Sequence, residues 1–277
     1  MKLATWNVNS IRTRKNLVID FLHQADIDVV AMQETKCKDD QFPFDEFVEA
    51  GYDVAHFGLN QWNGVAIASR LPMVDIEQGF SGMPGFSKKP EDEQAPEARA
   101  LSATIEGVRV CSVYVPNGRS VSDPHFDYKL AWIDALGEAW GNYADTPEAL
   151  PFAVMGDFNI APLDSDVGDP EFLVPGTTHT SATERETLAR FLTNAHVDDV
   201  VRERSPEGFT FWDYKQGKFQ KNQGLRIDFI FGSQSFADLV VDASIERSQR
   251  QGESPSDHVP VVVEIASDDD DDRPMVF

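Results

Sequence analysis

Short apolar runs recur along the chain and alternate with amphipathic segments, and this pattern restricts the fold more than any other feature of the sequence. Such runs predict buried strands, whereas apolar residues at helical spacing predict helices. The predicted strands are residues 3–6, 29–32, 65–68, 110–115, 152–155, 227–231 and 259–265. The predicted helices are residues 14–23, 128–140 and 183–194, and the Pro- and Gly-rich residues 81–98 predict a surface loop. Strands and helices interspersed in this way indicate one mixed α/β domain, residues 1–266.

The composition favours a sizeable core and a reducing compartment. Hydrophobic residues make up 41% of the 277 residues, which is enough for one large domain. No apolar run approaches the ~20 residues of a membrane span, and the N-terminus lacks the apolar region and cleavage site of a signal peptide. Cys37 and Cys111 are the only cysteines, so the sequence offers no disulfide framework and fits a cytoplasmic location.

The chain is strongly acidic, with a formal net charge of −23. Taken alone, this charge disfavours a polyanionic partner, because the mean field would repel it. The same charge equally suits solubility in a salty cytoplasm. The aspartate run 268–272 predicts a solvated acidic tail, residues 267–277. The body of the chain stays acidic without that tail.

Polar side chains follow the predicted strands at the points where the strands end. One such residue alone is usually a turn former or a helix cap. Six strand ends of this kind in one chain instead indicate a binding crevice, which an α/β sheet places at the ends of its strands. The residues concerned are Asn7 and Asn9, Glu34, Tyr114 and Asn117, Asp157 and Asn159, Asp228, and Asp257 with His258.

The residue types narrow the chemistry of this crevice. Carboxylates and amides with a single histidine are hard oxygen ligands, which suit Mg²⁺, Mn²⁺ or Ca²⁺ rather than Zn²⁺. A histidine backed by a carboxylate can stabilise a crowded phosphoryl transition state. The set therefore predicts metal-assisted hydrolysis of a phosphoester, in which Asp or Asn positions the attacking water.

Six motifs stand in an order that resembles the exonuclease III family of abasic-site (AP) endonucleases, within the endonuclease/exonuclease/phosphatase superfamily. They are TWNVNSIR (5–12), QETK (33–36), YVPNGR (114–119), GDFNIAP (156–162), GLRIDFI (224–230) and PSDHVPV (255–261). The resemblance covers residues 2–265, and six ordered blocks are far more specific than any one alone. It implies a four-layer α/β sandwich of two packed mixed β-sheets flanked by helices.

The resemblance also implies a role for each motif residue. Glu34 corresponds to the main Mg²⁺ carboxylate, and Asp157 to the residue that orients or activates water. His258, held by Asp228, would bind a non-bridging phosphate oxygen, and Tyr114 the phosphate or leaving group. The implied metal-binding set is Glu34, Asn7, Asp157, Asn159, Asp257 and His258. The implied catalytic set is Asn7, Tyr114, Asp157, Asn159, Asp228 and His258.

The implied reaction is hydrolysis of the phosphodiester 5′ to an abasic site in double-stranded DNA, with 3′-5′ exonuclease or 3′-end-cleaning activity beside it. Mg²⁺ is the implied cofactor, with Mn²⁺ as a substitute, and a monomer is the expected state. By position, Phe211, Trp212 and Leu225 correspond to the wall of the pocket for the base-less sugar. Plain core packing of Phe211 and Trp212 is the alternative.

DNA as a substrate requires positive charge close to the site in this acidic chain. Basic residues do lie beside the motifs, and residues 215–226 contain no acid. Solvated surface lysines are the alternative explanation for each residue taken alone. The predicted DNA contacts are Arg12, Lys36, Asn117, Arg119, Lys215, Lys218, Lys221 and Arg226.

Three other functions compete with DNA repair. A superfamily phosphatase or phosphodiesterase acting on inositol phosphates or another phosphoester would share the metal core. A less specific DNase is a second alternative. A non-catalytic binding module with the same fold is a third, but it should have lost at least one of the motif residues, and all of them are present.

Overall fold

Two six-stranded mixed sheets pack face to face, and helices cover their outer faces, so the four-layer sandwich implied by the motifs is confirmed. The structure is a computed structural model that describes residues 1–89 and 91–266. The predicted acidic tail, residues 267–277, lies outside the described residues. Within the described ranges, no helix combines the length and apolar character needed to cross a membrane.

The strands and helices follow one another along the chain in mixed order. The strands are β1 (Lys2–Asn7), β2 (Val29–Gln33), β3 (Asp53–Phe57), β4 (Val65–Ser69), β5 (Val74–Gln78), β6 (Ala100–Ile105), β7 (Val108–Tyr114), β8 (Phe152–Asp157), β9 (Val197–Asp199), β10 (Asp228–Ser233), β11 (Val240–Ile245) and β12 (Val261–Ile265). The helices are α1 (Ile11–Gln24), α2 (Phe44–Glu49), α3 (Pro124–Ala144), α4 (Ala182–Ala195) and α5 (Gln234–Ala237). The first sheet has the order β11-β12-β1-β2-β4-β3, and the second has the order β5-β6-β7-β8-β10-β9.

All seven predicted strands and all three predicted helices are present, whereas five strands were missed. Four of the missed strands, β3, β5, β9 and β11, are the edges of the two sheets. An edge strand is partly solvated and lacks a continuous apolar run, as β5 illustrates with five exposed residues. The fifth, β6, alternates apolar residues with Ser and Thr. Helix α3 begins before the predicted bound because Asp123 caps it and Pro124 occupies its first turn.

The core has three apolar layers. Leu3 and Val110 belong to the layer between the sheets, while Phe21 and Phe47 pack between the first sheet and its helices. Helices α3 and α4 cover the second sheet and approach each other closely at Gly141, where an added Cβ would lie 2.3 Å from the carbonyl oxygen of Asn194. Each large apolar side chain buried here contributes about 1.5–3 kcal/mol to stability. These layers hold the strand ends rigidly in place.

Strand direction brings the motif residues to one edge of the sandwich. Strands β1 and β2 are parallel, and so are β7 and β8, so their carboxyl ends share an edge. Strands β12 and β10 run antiparallel to β1 and β8, so their amino ends lie at that same edge. The register pairs Asp228 directly with Asp157. Residues distant in sequence therefore meet where the two sheets end.

Candidate active site

Asn7 joins the two sheets at the centre of the site. Its Nδ2 donates to Oε1 of Glu34 at 2.8 Å and to Oδ2 of Asp157 at 2.9 Å. One ligand atom each from Glu34, Asp157 and His258 lies within 4.8 Å of the others. Side chains from β1, β8 and two loops thus converge at one point.

Glu34 is held in its ionised form. It follows β2 in a left-handed conformation with φ 53°, which turns its side chain toward the sheet edge. Its carboxylate lies 2.6 Å from the ammonium of Lys36. Burial opposes ionisation, but Lys36 and the hydrogen bond from Asn7 outweigh it and lower the pKa of Glu34. Lys36, a predicted DNA contact, therefore also stabilises the ionised form of Glu34.

Asp157 and His258 form a second charged group. The Nδ1 of His258 donates to Asp228 at 2.8 Å, and its Nε2 lies 3.8 Å from Oδ2 of Asp157. Burial lowers the pKa of His258, but the carboxylates of Asp228 and Asp157 raise it to about 10. Burial raises the pKa of Asp157 to about 7, with further raising from Asp228 and Glu34 against the opposing charge of His258. A protonated ring is a hydrogen-bond donor, so this geometry favours the phosphate contact predicted for His258 over metal ligation.

Asn159 is fixed by several partners in a left-handed conformation with φ 53°. Its Nδ2 donates to the carbonyl of Val115 at 3.0 Å and lies 3.3 Å from Oδ2 of Asp157. Its Oδ1 accepts a hydrogen bond of 3.1 Å from Nδ2 of Asn117. The two predicted asparagines thus form one amide surface beside Asp157.

Tyr114 is nearly buried at the end of β7. The guanidinium carbon of Arg99 lies 4.8 Å from the centroid of its ring. Burial, and then the nearby Glu34, hold the pKa of Tyr114 well above its usual range, so the hydroxyl keeps its proton. Arg99 was not predicted, because nothing in its local sequence distinguishes it from a surface arginine.

Asp257 lies beside the cluster rather than within it. Its Oδ1 accepts a hydrogen bond of 2.9 Å from Nδ2 of Asn9, whose Oδ1 accepts one from Lys36. Asp257 is not a member of the three-residue donor cluster formed in the described part of the chain. Asn9 links Asp257 to the loop that carries Glu34. The sequence marked Asn9 as a strand-end residue without assigning it a role.

The predicted sugar pocket has one accessible side chain rather than three. Trp212 is fully buried, with its ring 5.1 Å from that of Phe219. Leu225 is also fully buried, in a small cluster with Ala161. Phe211 is half-buried, and its ring lies 4.9 Å from that of His258. Successive residues of an extended chain point in opposite directions, which fits a half-buried Phe211 beside a buried Trp212. The burial of Trp212 agrees with the core-packing alternative that the sequence left open.

Two of the residues predicted to contact DNA are buried and paired within the protein. The ammonium of Lys218 lies 2.9 Å from Asp169, and its side chain is buried. The guanidinium of Arg226 is buried and donates to the carbonyl of Ser205 at 2.7 Å. Its other terminal nitrogen lies 3.7 Å from the carboxylate of Asp199, so the guanidinium is occupied by partners inside the protein. Neither cation is free to meet a phosphate.

The remaining predicted contacts have accessible surface. The exposed ones are Arg12, Arg119, Lys215 and Lys221, and the half-buried ones are Lys36 and Asn117. Trp62, which was not predicted, is 71% exposed. Its loop is bound to the QETK motif by a 2.9 Å hydrogen bond from the backbone of Lys36 to that of Asn63, so it lies at the same edge.

Comparison with known proteins agrees with this geometry. The model of the Endonuclease/Exonuclease/phosphatase family matches residues 4–258. Exodeoxyribonuclease III of Haemophilus influenzae is 30% identical over 95% of this chain and 99% of its own length. The structure of a 3′ phosphatase from Neisseria bound to a product DNA hairpin is similar with a TM-score of 0.87 and 35% identity, covering 96% of this chain and 100% of that one. An AP endonuclease from Archaeoglobus fulgidus has a TM-score of 0.85 and 32% identity, covering 96% of this chain and 100% of that one.

The chain therefore belongs to the endonuclease/exonuclease/phosphatase family of enzymes. Its similarity to exonuclease III proteins along nearly its full length confirms the resemblance carried by the six motifs. The family and the fold are thus established, while the roles of individual side chains rest on the geometry above.

The donor set fits a hard divalent cation. Glu34 and Asp157 offer carboxylate oxygens within 4.8 Å of each other, and Asn7 fixes both by hydrogen bonds. Oxygen donors of this kind suit Mg²⁺ or Mn²⁺, which keep several waters and leave room for phosphate oxygens. Neither Cys37 nor Cys111 belongs to this cluster, so the described residues of the cluster offer no thiolate ligand of the kind that soft metals prefer.

Proposed function

We propose that this enzyme is a Mg²⁺-dependent DNA repair hydrolase that cleaves the phosphodiester 5′ to abasic sites and removes nucleotides or blocking groups from 3′ ends of duplex DNA. The observation that carries the proposal is the convergence of Glu34, Asp157 and His258 within 4.8 Å. The names of the similar proteins, an exodeoxyribonuclease III, a 3′ phosphatase and an AP endonuclease, support DNA as the substrate.

The side chains divide the work of phosphoester hydrolysis. Asp157, with a pKa of about 7, accepts a proton from the attacking water at neutral pH. His258 donates from Nε2 to a non-bridging phosphate oxygen while Asp228 fixes its ring through Nδ1. Asn159 presents its amide to the same phosphate, and Tyr114 donates its retained proton to the phosphate or the leaving oxygen. Each group is preorganised by partners already in place.

Glu34 would hold the metal ion together with Asp157, and Asn7 would keep both carboxylates in position. Bound Mg²⁺ supplies positive charge for the phosphate oxygens in the transition state. Mn²⁺ is expected to substitute, since it accepts the same oxygen ligands.

A second candidate is 3′-end processing without incision at internal abasic sites. The observation that favours it is the reduced pocket, in which only Phe211 of the three predicted wall residues has accessible surface. A site without an open sugar pocket still admits a strand end. The similarity to the Neisseria 3′ phosphatase supports this reading equally well.

Four substrates distinguish these functions in one assay. They are a duplex with an internal tetrahydrofuran abasic analogue, a nicked duplex with a 3′-phosphate, an intact duplex and an inositol phosphate, each with Mg²⁺ or EDTA. Metal-dependent incision at the analogue is the expected result. Cleavage confined to 3′ ends would establish the second candidate instead, and phosphate release from the inositol ester alone would exclude DNA as the substrate.

The exposed basic residues beside the motifs are proposed to contact DNA phosphates, with Trp62 as an aromatic surface at the same edge. Arg119→Ala is expected to weaken binding at every sequence and to lower the slope of log affinity against log salt by about 1. Arg190→Ala is the matched control, because Arg190 pairs with Asp134 on the outer helices. Fluorescence anisotropy over a salt range measures both. An unchanged slope for Arg119→Ala would remove it from the interface.

The expected monomeric state and cytoplasmic location stay predictions. Gel filtration with light scattering tests the first. Subcellular fractionation of the producing cells tests the second.

A further inference from the structure

A lysine that lies wholly inside the protein is tied to the amide surface of the site. Lys129 on α3 has no exposed surface, although its side chain ends in an ammonium. Its Nζ donates to the carbonyl oxygens of Asn117 at 3.2 Å and Asn159 at 2.7 Å. It also donates to the carboxylate of Glu184, and Oγ1 of Thr178 lies 3.3 Å away as a fourth neighbour of the three N–H groups. One ammonium therefore joins four segments of the chain.

Glu184 completes a fully hydrogen-bonded buried pair. Besides Lys129, it accepts hydrogen bonds from Thr178 Oγ1 at 2.6 Å and from the backbone of His179 at 2.9 Å. Its other oxygen accepts from the hydroxyl of Ser181 at 2.7 Å in the capping box of α4. Burial opposes its ionisation, but Lys129 and these hydrogen bonds lower the pKa of Glu184. Burial lowers the pKa of Lys129, against the opposing charge of Glu184, and the direct contact of the two groups makes them a buried ion pair.

His179 links the same two asparagines from the other side. Its Nδ1 donates to the carbonyl of Asn159 at 2.6 Å, and its Nε2 lies 3.4 Å from Nδ2 of Asn117. Burial and then the charge of Lys129 lower the pKa of His179 to about 3, so the ring is neutral and can both donate and accept. Lys129 and His179 therefore both donate hydrogen bonds to the carbonyl oxygen of Asn159.

The Lys129–Glu184 pair affects the positions of Asn117 and Asn159 more than it affects the stability of the fold. A buried ion pair is often no more stable than apolar residues of the same shape. The acceptors of Lys129 are the backbone carbonyls of Asn117 and Asn159, whose side chains form the amide surface beside Asp157. Asn is among the residues that adopt a left-handed conformation most readily, so the two hydrogen bonds to its carbonyl act on the orientation of the Asn159 backbone rather than on its choice of φ.

We propose that Lys129 and Glu184 are positioning residues, which fix Asn117 and Asn159 for phosphate binding and thereby set the turnover rate. This inference rests on the proposed hydrolytic function. Neither residue touches substrate. Their loss displaces Asn159 relative to Asp157, and a displacement on the order of 1 Å lowers turnover by about 100-fold.

The test removes both charges together. Lys129→Met with Glu184→Gln leaves no unpaired buried charge, and Gln preserves the capping box. Expected is a fall in kcat of about 10- to 100-fold with KM nearly unchanged. Arg70→Met with Asp28→Asn is the control, because this pair lies at the opposite edge of the sandwich, beside the start of β2. It is expected to retain full kcat.

Two further readouts decide the outcome. In an enzyme that already carries Asn159→Ala, the double substitution is expected to lower kcat by less than about 2-fold more. The reason is that substitutions of coupled residues are not additive. A crystal structure of the double variant should show the 2.9 Å hydrogen bond from the Asn159 backbone to Asp157 broken. Unchanged kcat, an equal loss in both backgrounds or an intact hydrogen bond would overturn the proposal. If the wild-type enzyme cleaves none of the DNA substrates, the proposed function is refuted. The crystal structure of the double variant still tests the positioning role in that case, because it does not depend on activity.

Discussion

Asp157→Asn is expected to bind duplex DNA as tightly as the wild-type enzyme and to lose about 10²- to 10⁴-fold in turnover, the usual contribution of a general base. The substitution preserves size and keeps one oxygen, which can still accept the hydrogen bond from Asn7, while the hydrogen bond that the other oxygen accepts from the Asn159 backbone is lost. It removes the group that takes the proton of the attacking water. Single-turnover cleavage of the preferred DNA substrate, with anisotropy for binding, measures both quantities.

The same variant should fold at least as well as the wild type. Burial, Asp228 and Glu34 all raise the pKa of Asp157, so its carboxylate is poorly accommodated when ionised. A neutral amide avoids that cost, and the melting temperature is expected to stay level or rise, as is common at active sites. Asp242→Asn on exposed β11 is the control for loss of one acidic residue. Wild-type rates for Asp157→Asn would mean that the water is activated by another group.

The sequence predicted the interior strands and missed the edges for one physical reason. A strand such as β8 is buried on both faces, so its apolar run is continuous. Strand β5 has both faces in solvent, and its charged residues resemble a loop. The three longer helices were predicted because each buries one apolar stripe, whereas α2 and α5, with six and four residues, were missed because they are too short to show that period. What the sequence does not contain is the pairing order of the strands, which depends on contacts between distant segments.

The site was predicted best where the chemistry lies in the motifs and worst where it depends on side-chain direction. Asn7, Glu34 and Asp157 meet as expected, because strand ends at one sheet edge converge. The burial of Trp212 and Arg226 could not be predicted, because a motif gives residue type and not the direction of the side chain. The burial of Lys218 could not be predicted either, since its partner Asp169 lies 49 positions away.

Buried polar pairs cannot be predicted from sequence patterns either, because their two members come from distant parts of the chain. Lys129 gives no sign of burial in the sequence pattern of α3, and it is enclosed by segments distant in sequence, which carry Asn117, Asn159 and Glu184. Glu184 was assigned simply to the acidic first turn of a helix. Glu184 does lie in the first turn of α4, where it forms the capping box with Ser181. Its second bond, to Lys129, exists only in the tertiary structure.

The second large effect is expected at the metal site. Glu34→Ala should raise the Mg²⁺ concentration for half-maximal activity by at least about 10- to 100-fold, the loss typical even for residues that only support a metal ligand. It should also lower turnover at saturating Mg²⁺, because Asp157 alone remains as a carboxylate in the cluster. Mg²⁺ titration of activity, together with calorimetric Mn²⁺ binding to the enzyme without DNA, measures the two effects separately.

Glu46→Ala provides the matched control, since Glu46 also pairs with a lysine, Lys15, but on the surface and away from the cluster. An exposed pair of that kind contributes little to stability, so both its activity and its Mg²⁺ dependence should equal those of the wild type. Loss of Glu34 also leaves Lys36 without its carboxylate, which frees that ammonium for a DNA phosphate. DNA binding without metal is therefore expected to hold or to strengthen in Glu34→Ala. If the Mg²⁺ titration is unchanged while turnover falls, Glu34 acts through Lys36 and Asn7, and the metal is held elsewhere.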